Sequence, residues 1–579
     1  MKLLITTLNS KFSHMALGAR YIRNYLKPIE QIDIHLKEYT INQQMDWILS
    51  DIYKGQYDLI LLSVYVWNLE QTLLLIKNLK KIQPHLKIIL GGPEVSYETH
   101  DLMNKVTEID YIVMGEGEAT TYAFISALVN DDDLSKVRGL AYRSHDEVIV
   151  NPSRSLMKEL EQIPFPYDET DDFDNRLVYY ESQRGCPYNC AYCMSSTFKG
   201  VRFFPVERVK KDLKWFMDKE VRIVKFVDRT FNIKKDHFFE IMKYLHKIDN
   251  GVTSFHFEIT ASLLDQETLD FLSQVREGQF QFEIGVQSTN EPTLKAINRH
   301  HDLKKLYDNV RLLKSYGNIH LHLDLIAGLP HENYDRFLQS FNDVFKLDPD
   351  VIQLGFLKLL KGSELRQKED EFGYVYRSYP PYEVLSSHVL NYADLDKLNK
   401  IEDLLDKFYN SHKFNNAIAY LCSLYKTPSE LYEHLYEYWI KNDYYDAPTS
   451  FPNLYKRLFV FGQMLDGCNM RVLGNTLKMD MLIQKSTKVQ DVLPDFYDPL
   501  RKSICHDVLR NNELRNGTFS HYHDLTAKQI VKRTHFEIFT DPDGNKTIML
   551  FDYGVDGEKT AKDVTAIVNE IMDQTLIDE

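Results

Sequence analysis

The sequence predicts an α/β protein with two parallel-sheet domains and a mostly helical third part. Three observations predict it. Short apolar runs alternate with helical patterns through residues 1–140, a second alternation fills 172–390, and the pattern then changes to Tyr- and Leu-rich helices. A chain of 579 residues is also too long for one core and should divide into several domains.

In the first region the candidate strands are 2–8, 32–37, 58–63, 86–92 and 110–115. Between them lie stretches such as LEQTLLLIKNLKKIQ (69–83), with apolar residues at helical spacing. Such alternation requires a parallel sheet covered on both faces, here a five-stranded, doubly wound (Rossmann/flavodoxin-like) domain. Ligands of such sheets sit at the carboxyl ends of the strands, where Asn9 to His14, Ser63, Gly91–Gly92 and Gly115 to Glu118 fall. GLAYRS and EVIVNPS (139–153) read as a hairpin, and LEQIPFPYDE (160–169) as a linker, so that 141–171 connects two domains.

The second region has candidate strands at 176–182, 222–228, 253–260, 279–288, 319–328 and 350–356. Six βα units over 172–390 predict a partial (β/α)6 barrel, open where the complete form has eight strands. Residues 391–579 form a helical, α+β extension of unknown role. It contains helices such as 396–412, a solvated HYH loop at 521–523, a hairpin around DPDGN (541–545) and a last helix over about 560–575.

Composition is that of a globular protein, with 44% hydrophobic and 26% charged residues. The net charge of −15 argues against a broad nucleic-acid footprint, which needs clustered Lys and Arg. No apolar run reaches the ~18 residues of a membrane span. The N-terminal MKLLITTLNSKFSHMALG lacks a signal-peptide core and reads as the first buried strand. Of six cysteines, three are clustered, while Cys422, Cys468 and Cys505 lie far apart. That is no disulfide framework, and a reducing cytoplasm is the expected home.

The cluster lies in RGCPYNCAYCMSS, which places Cys186, Cys190 and Cys193 on one loop after the first barrel strand. A structural zinc site wants four closed ligands, and a nucleophile wants one thiol beside a base. A cubane iron–sulfur cluster held by three thiolates keeps one iron open, able to bind a small molecule through nitrogen and oxygen. A zinc site borrowing a distant histidine, or three unrelated buried cysteines, are the alternatives.

CPYNCAYC, read as CxxxCx-aromatic-C, resembles the signature of the radical S-adenosylmethionine superfamily. VKFVDRTFN (224–232), FHFEITA (255–261), FEIGVQS (282–288) and DLIAGLP (324–330) resemble family segments at successive strand ends. The resemblance implies that Cys186, Cys190 and Cys193 ligate a 4Fe-4S cluster whose open iron chelates S-adenosylmethionine. One electron then yields methionine and a 5′-deoxyadenosyl radical that abstracts hydrogen. It further implies that Tyr192 lies against the adenine. Asp228 stands where many relatives have a GGE motif on the methionine amine, although this chain reads VDRTF. Glu258, Glu283, Gln287 and Ser288 point from strand ends toward the ribose and carboxylate, each with a structural hydrogen-bonding alternative. Gly328 and Pro330 shape a turn. His322 or Asp324 could face the barrel interior. The implied partners are an unknown substrate, read as a small molecule, and an electron donor such as flavodoxin or ferredoxin.

GGPEVS (91–96) and VMGEGE (113–118) resemble the cobalamin-binding domain that precedes many members of that superfamily. The implied cobalamin contacts are Asn9, His14, Ser63, Gly91, Gly92, Gly115, Glu116, Gly117 and Glu118. The family's DxHxxG is FSHMALG here, with Phe12 in place of the aspartate and Gly18 one place late. A ligating imidazole needs an acceptor to fix its tautomer, so His14 is expected beside the pocket rather than on cobalt. Near Ser63, Tyr65 replaces the family's leucine. The function implied is hydrogen abstraction, with methyl transfer to an unactivated carbon as the cobalamin-dependent form. The alternatives are a radical enzyme without cobalamin and a non-catalytic, metal-stabilised scaffold.

Overall fold

The computed structural model describes the chain except residues 146, 198–199, 301, 486–487, 499, 511–521, 523–524, 555–559, 567 and 570–579. It forms two units, Met1–Leu395 and Asp396–Glu579.

The first unit begins with β1 (Lys2–Asn9), β2 (Asp33–Thr40), β3 (Leu59–Ser63), β4 (Lys87–Gly91) and β5 (Tyr111–Val113). Between them run α1 (Leu17–Leu26), α2 (Met45–Gly55), α3 (Leu69–Ile82) and α4 (Thr99–Lys105), and α5 (Gly117–Asn130) follows β5. Strand residues alternate between two cores. Leu4, Leu8, Ile60 and Leu62 pack with the α2 and α3 side chains Ile48 and Leu75, while Leu3, Ile5, Leu59 and Leu61 pack with Ala19 of α1 and Phe124 of α5. Each buried Leu or Ile contributes roughly 1.5–3 kcal/mol, and the two-residue strand period sends neighbours to opposite faces. The strand order β2-β1-β3-β4-β5 reverses direction at β1/β3, the usual position of a ligand crevice.

The hairpin expected in the connecting segment instead continues this sheet. Strands β6 (Leu140–Ser144) and β7 (Glu147–Val150) add antiparallel to β5, making seven strands rather than five. They cover the backbone edge that β5 would otherwise expose.

The barrel strands are β8 (Leu177–Tyr180), then β11 (Ile223–Phe226), β12 (Ser254–Ile259), β13 (Phe280–Gln287), β14 (His320–Ala327) and β15 (Val351–Phe356). The intervening β9 (Gln183–Arg184) and β10 (Arg202–Phe203) form a small antiparallel pair flanking the cysteine loop. The six-stranded sheet runs β15-β14-β13-β12-β11-β8, with each neighbouring pair parallel. Burial alternates along β12 and most of β13: Phe255, Phe257, Phe280 and Phe282 are fully buried, and the residues between them are half-buried and mostly polar. The unit closes with the short hairpin β16 (Val375–Tyr376) and β17 (Val384–Ser386).

The second unit packs helices such as Asn415–Cys422, Pro428–Lys441, Phe451–Gln463 and Met470–Ile483. An antiparallel sheet follows: β18 (Thr534–Thr540), β19 (Lys546–Asp552) and β20 (Thr560–Asp563). The turn between β18 and β19 is the DPDGN stretch, whose Asp541 side chain accepts the Asn545 N–H. The helix expected from about 560 is corrected at its start, because Thr560–Asp563 pairs with β19 as a strand. Its residues 567 and 570–575, and His521 and His523 of the HYH loop, lie outside the described residues. Among the described residues, no helix is long and apolar enough to cross a membrane.

Candidate active site

The cysteine loop is anchored at each of its parts. At its entry the Asp228 carboxylate accepts the backbone N–H groups of Ser182 (2.9 Å) and Gln183 (3.1 Å) and the Ser182 hydroxyl (2.6 Å). Within it the Ala191 N–H donates to Ile297 O (3.0 Å) and the Cys193 N–H to Cys190 O (3.0 Å). Arg299 donates to the Cys190 sulfur (3.7 Å) and to the Tyr192 hydroxyl (3.0 Å). The Ser195 N–H donates to the Cys193 sulfur (3.4 Å), and the Cys186 sulfur lies 3.8 Å from the Thr230 hydroxyl. Burial pushes the Cys186 thiol up from its ordinary range. The form that binds metal is the thiolate. Among the described residues no three His, Cys, Asp or Glu side chains gather closely enough for one bare ion. Three thiolates that each take a different iron of a cubane do not need that closeness.

Asp228, expected on the methionine amine, has one carboxylate oxygen engaged by two backbone N–H groups and the other by the Ser182 hydroxyl, and is only 1% exposed. Its place in VDRTF therefore serves the loop rather than an open cleft. Burial pushes it up to about 8, against the three donors that favour its charge. Ser288 is wholly buried, and its hydroxyl donates to Glu332 (2.7 Å). Gln287 is buried with φ of +70°.

The carboxyl ends of the first sheet and the barrel mouth enclose a cavity of about 630 Å³. Asn9, His14, Ser63, Gly91, Gly92, Gly115, Glu116, Gly117, Glu118 and Glu258 all line it. Tyr192, Asp228, Glu283, Gln287 and Ser288 are not part of its wall. The wall also holds side chains that the sequence did not flag, Tyr179, Arg184, Arg202, Lys225, Arg229 and Trp67, the last stacked at 4.4 Å on Tyr65, the residue standing in place of the family's leucine. The Thr121 hydroxyl and the Gln183 side-chain oxygen, both of lining residues, are buried without a hydrogen-bond partner among the described residues. A bulky ligand with polar substituents fits this wall, because it would meet glycine backbone, an aromatic platform and those unsatisfied groups.

Where Phe12 offers the imidazole no polar partner, two hydroxyls stand beside it. His14 Nδ1 lies 3.2 Å from the Ser10 hydroxyl and 3.3 Å from the Tyr179 hydroxyl. The Phe12 side chain is exposed, with Arg176 3.9 Å over its ring. Glu116 and Glu118, expected on cobalamin, spend their carboxylates on arginines beside the cysteine loop. Arg202 grips Glu116 through both nitrogens (2.7 and 3.1 Å), and Arg184 bonds to Glu118 and to Glu181 (2.8 Å).

Inside the barrel Glu283 accepts from Lys225 (2.8 Å) and meets His256 (2.9 Å). Burial pushes this carboxyl up, yet His256 and Lys225 together hold it well below the usual carboxylate range. Glu258 lies 3.9 Å from Arg229, and burial raises it.

Family models match three successive parts of the chain: a B12 binding domain over residues 3–125, the Radical SAM superfamily over 180–344, and a protein of unknown function (DUF4080) over 370–550. The chain is 24% identical over 360 residues to the 2-(S-pantetheinyl)-carbapenam-3-carboxylate methyltransferase of Streptantibioticus cattleyicolor, covering 56% of this chain and 50% of that one. It is 26% identical over 330 residues to the cobalamin-dependent radical SAM methyltransferase TokK of Streptomyces tokunonensis, covering 52% and 47%. The chain thus spans about half the length of these curated relatives. Among solved structures, OxsB with aqua-cobalamin and S-adenosylmethionine superposes with a TM-score of 0.59 at 16% identity, over 85% of this chain and 81% of that one. TsrM from Kitasatospora setae, with cobalamin and a [4Fe-4S] cluster, gives 0.55 at 15%, over 65% and 76%. At these identities the likeness is one of fold. The chain carries a B12 binding domain followed by a radical SAM domain and a DUF4080 region.

Proposed function

We propose that this chain of B12 binding and radical SAM domains is a cobalamin-dependent radical enzyme that abstracts hydrogen from, or transfers a methyl group to, an unactivated carbon. The observation that carries it is the single cavity wall shared by the cobalamin-type loops and the barrel mouth behind the three-cysteine loop. When bound, the cluster and S-adenosylmethionine supply a 5′-deoxyadenosyl radical, and cobalamin supplies a methyl group. The residues of this chain do the rest. Cys186, Cys190 and Cys193 hold the cluster, with Arg299 steadying Cys190 and Tyr192. Tyr192, behind the wall on the cysteine loop, would serve the adenine side, and Glu258 on the wall would serve the nucleoside. Ser63, Gly91, Gly92, Gly115, Gly117 and His14 line the cavity and would hold the corrin. Asp228 and the Glu116 and Glu118 carboxylates act one step back, holding the loops that carry these groups. Enclosure by two domains excludes water from a reactive intermediate. A one-electron carrier of the flavodoxin or ferredoxin class would reduce the cluster, and the cytoplasm suits its thiolates.

Anaerobic reconstitution tests this reading. It should give about four irons per chain, cleavage of S-adenosylmethionine to 5′-deoxyadenosine, and saturable binding of hydroxocobalamin. Cys190→Ala should lose the iron and the cleavage together. Undiminished cleavage by that variant, or zinc in place of iron, would overturn it. Absence of saturable hydroxocobalamin binding would remove the methyl-transfer branch.

A further inference from the structure

An enclosed barrel of this type is commonly filled by layers of Val, Ile and Leu. Here the strand register assembles a different interior. One layer runs Tyr179, Lys225, His256, Gln281 and His320 across five strands. The next runs Glu258, Glu283 and His322, and above it Asp324 pairs with Gly285 and Gln353. These positions alternate with the buried phenylalanines and leucines, so they share the inward face.

The charges in this lumen are unequally compensated. Glu283 has Lys225 and His256, and Glu258 has Arg229. Among the described residues Asp324 has only His322, at 3.2 Å, in a geometry that makes no hydrogen bond. Among the described residues neither His322 Nε2 nor Asp324 Oδ1 has a hydrogen-bond partner, and both side chains are 19% exposed. Burial pushes the Asp324 carboxyl well up from its ordinary range, Glu283 and Glu258 push it the same way, and Lys225 and Arg299 offset this only in part from farther off. The ionised form of a carboxyl in such a place is costly unless a cation completes it.

We propose that Asp324, with His322 beside it, receives a basic nitrogen of the substrate, so that the substrate is a small, water-soluble amine rather than an apolar molecule. This rests on the radical-enzyme reading above. An ammonium in the lumen would pair with Asp324, make three oppositely charged pairs of the carboxylates, and present neighbouring C–H bonds toward the barrel mouth. The apolar substituents of such a molecule would find little matching surface among these layers.

The test uses the reconstituted holoenzyme with saturating S-adenosylmethionine, and a cell extract divided into three probes. These are the aqueous material retained on a cation exchanger at neutral pH, the aqueous material not retained, and the organic layer. The retained fraction should raise 5′-deoxyadenosine formation about tenfold above the substrate-free baseline, and Asp324→Asn should lose that response while keeping the baseline, a loss of the size expected for one charged hydrogen bond. Asp324→Glu should recover part of it. The same retained fraction should raise the melting temperature of the metal-free chain, and Asp324→Asn should not respond. Stimulation by either other fraction, by none of the three, or equally in Asp324→Asn overturns the proposal. If the wild type shows no baseline cleavage, the radical-enzyme reading fails, and the melting shift of the metal-free chain alone decides the amine site.

Discussion

Arg184, two residues before Cys186, bonds to Glu118 at the start of α5, 66 positions earlier in the chain. The same guanidinium reaches Glu181 (2.8 Å) and lies 3.6 Å from Glu116. The loop that ends the first sheet and the loop that carries the cysteines are therefore held by one cation, with side chains only 12% and 7% exposed at Arg184 and Glu118. The cavity between the two domains is thereby set by charge as well as by apolar packing.

Removing that cation should be severe. Arg184→Met leaves Glu116, Glu118 and Glu181 close together, with Arg202 on Glu116 the one cation remaining on them among the described residues. Breaking a buried pair from one side costs about 3–5 kcal/mol. Guanidinium unfolding of the metal-free chain should show a loss of that order. Glu118→Gln should cost less, because Glu181 still serves Arg184. Equal small losses for both would show that the pair does not bind the loops together.

Asp228 predicts a pH dependence. Its folded value of about 8 stands above the ordinary ~3.9 of an unfolded aspartate. Between about pH 4 and 8 the unfolded chain has released this proton and the folded chain keeps it. The folded state then binds more protons, so this group's contribution falls as pH rises, by about 1.4 kcal/mol per unit. It is fully present below pH ~4 and spent above ~8. Asp228→Asn keeps acceptors for the Ser182 and Gln183 N–H groups and should remove that part of the slope. The check is the difference between wild-type and variant unfolding energies at pH 5 and pH 8; parallel curves would mean that the three donors keep Asp228 ionised.

The second unit offers a prediction free of cofactors. Lys478 and Glu537 are 1% and 0% exposed and 3.1 Å apart, with His535 on the other carboxylate oxygen at 3.1 Å. Lys478 also donates to Ile538 O and Phe496 O. Lys478→Met strands those acceptors and should cost about 3 kcal/mol in thermal or denaturant unfolding. A paired Lys478→Met, Glu537→Leu variant should recover much of it. A single variant as stable as wild type would mean that the charge pair is not holding β18 to its helix.

What could be read from the sequence divides along physical lines. All six barrel strands lie where apolar runs of strand length stand, because a strand buried on one face must alternate or be continuously apolar. The cysteine loop was legible because its ligands are local in the chain. Arg299 was not, since it meets Cys190 across 109 residues and sits in a stretch, NRHH, with no pattern of its own. The hairpin's attachment to β5 was invisible for the same reason: its pattern marks two strands but not the edge that they cover. Asp228 shows the opposite hazard. Position in the chain matched a ligand-binding motif, yet burial and three backbone and hydroxyl donors give it another task.

The glycines of the first sheet separate two roles that the sequence merged. Gly92 has φ of +110°, and a Cβ there would lie 2.4 Å from Val64 O, so its backbone alone demands glycine. Gly115 has φ of +76°, but a Cβ would meet nothing within 4 Å and would stand at the edge of the cavity. Gly92→Ala should therefore destabilise the domain by a few kcal/mol, about the sum of backbone strain and a steric clash. Gly115→Ala pays only the strain of its positive φ, roughly 1 kcal/mol, and its main effect should fall on the ligand. In hydroxocobalamin titrations of the metal-free chain, Gly115→Ala should weaken binding several-fold more than its small loss of melting temperature explains. Unchanged affinity in Gly115→Ala, with binding lost only as the fold is lost in Gly92→Ala, would mean that the corrin does not approach the VMGEGE backbone.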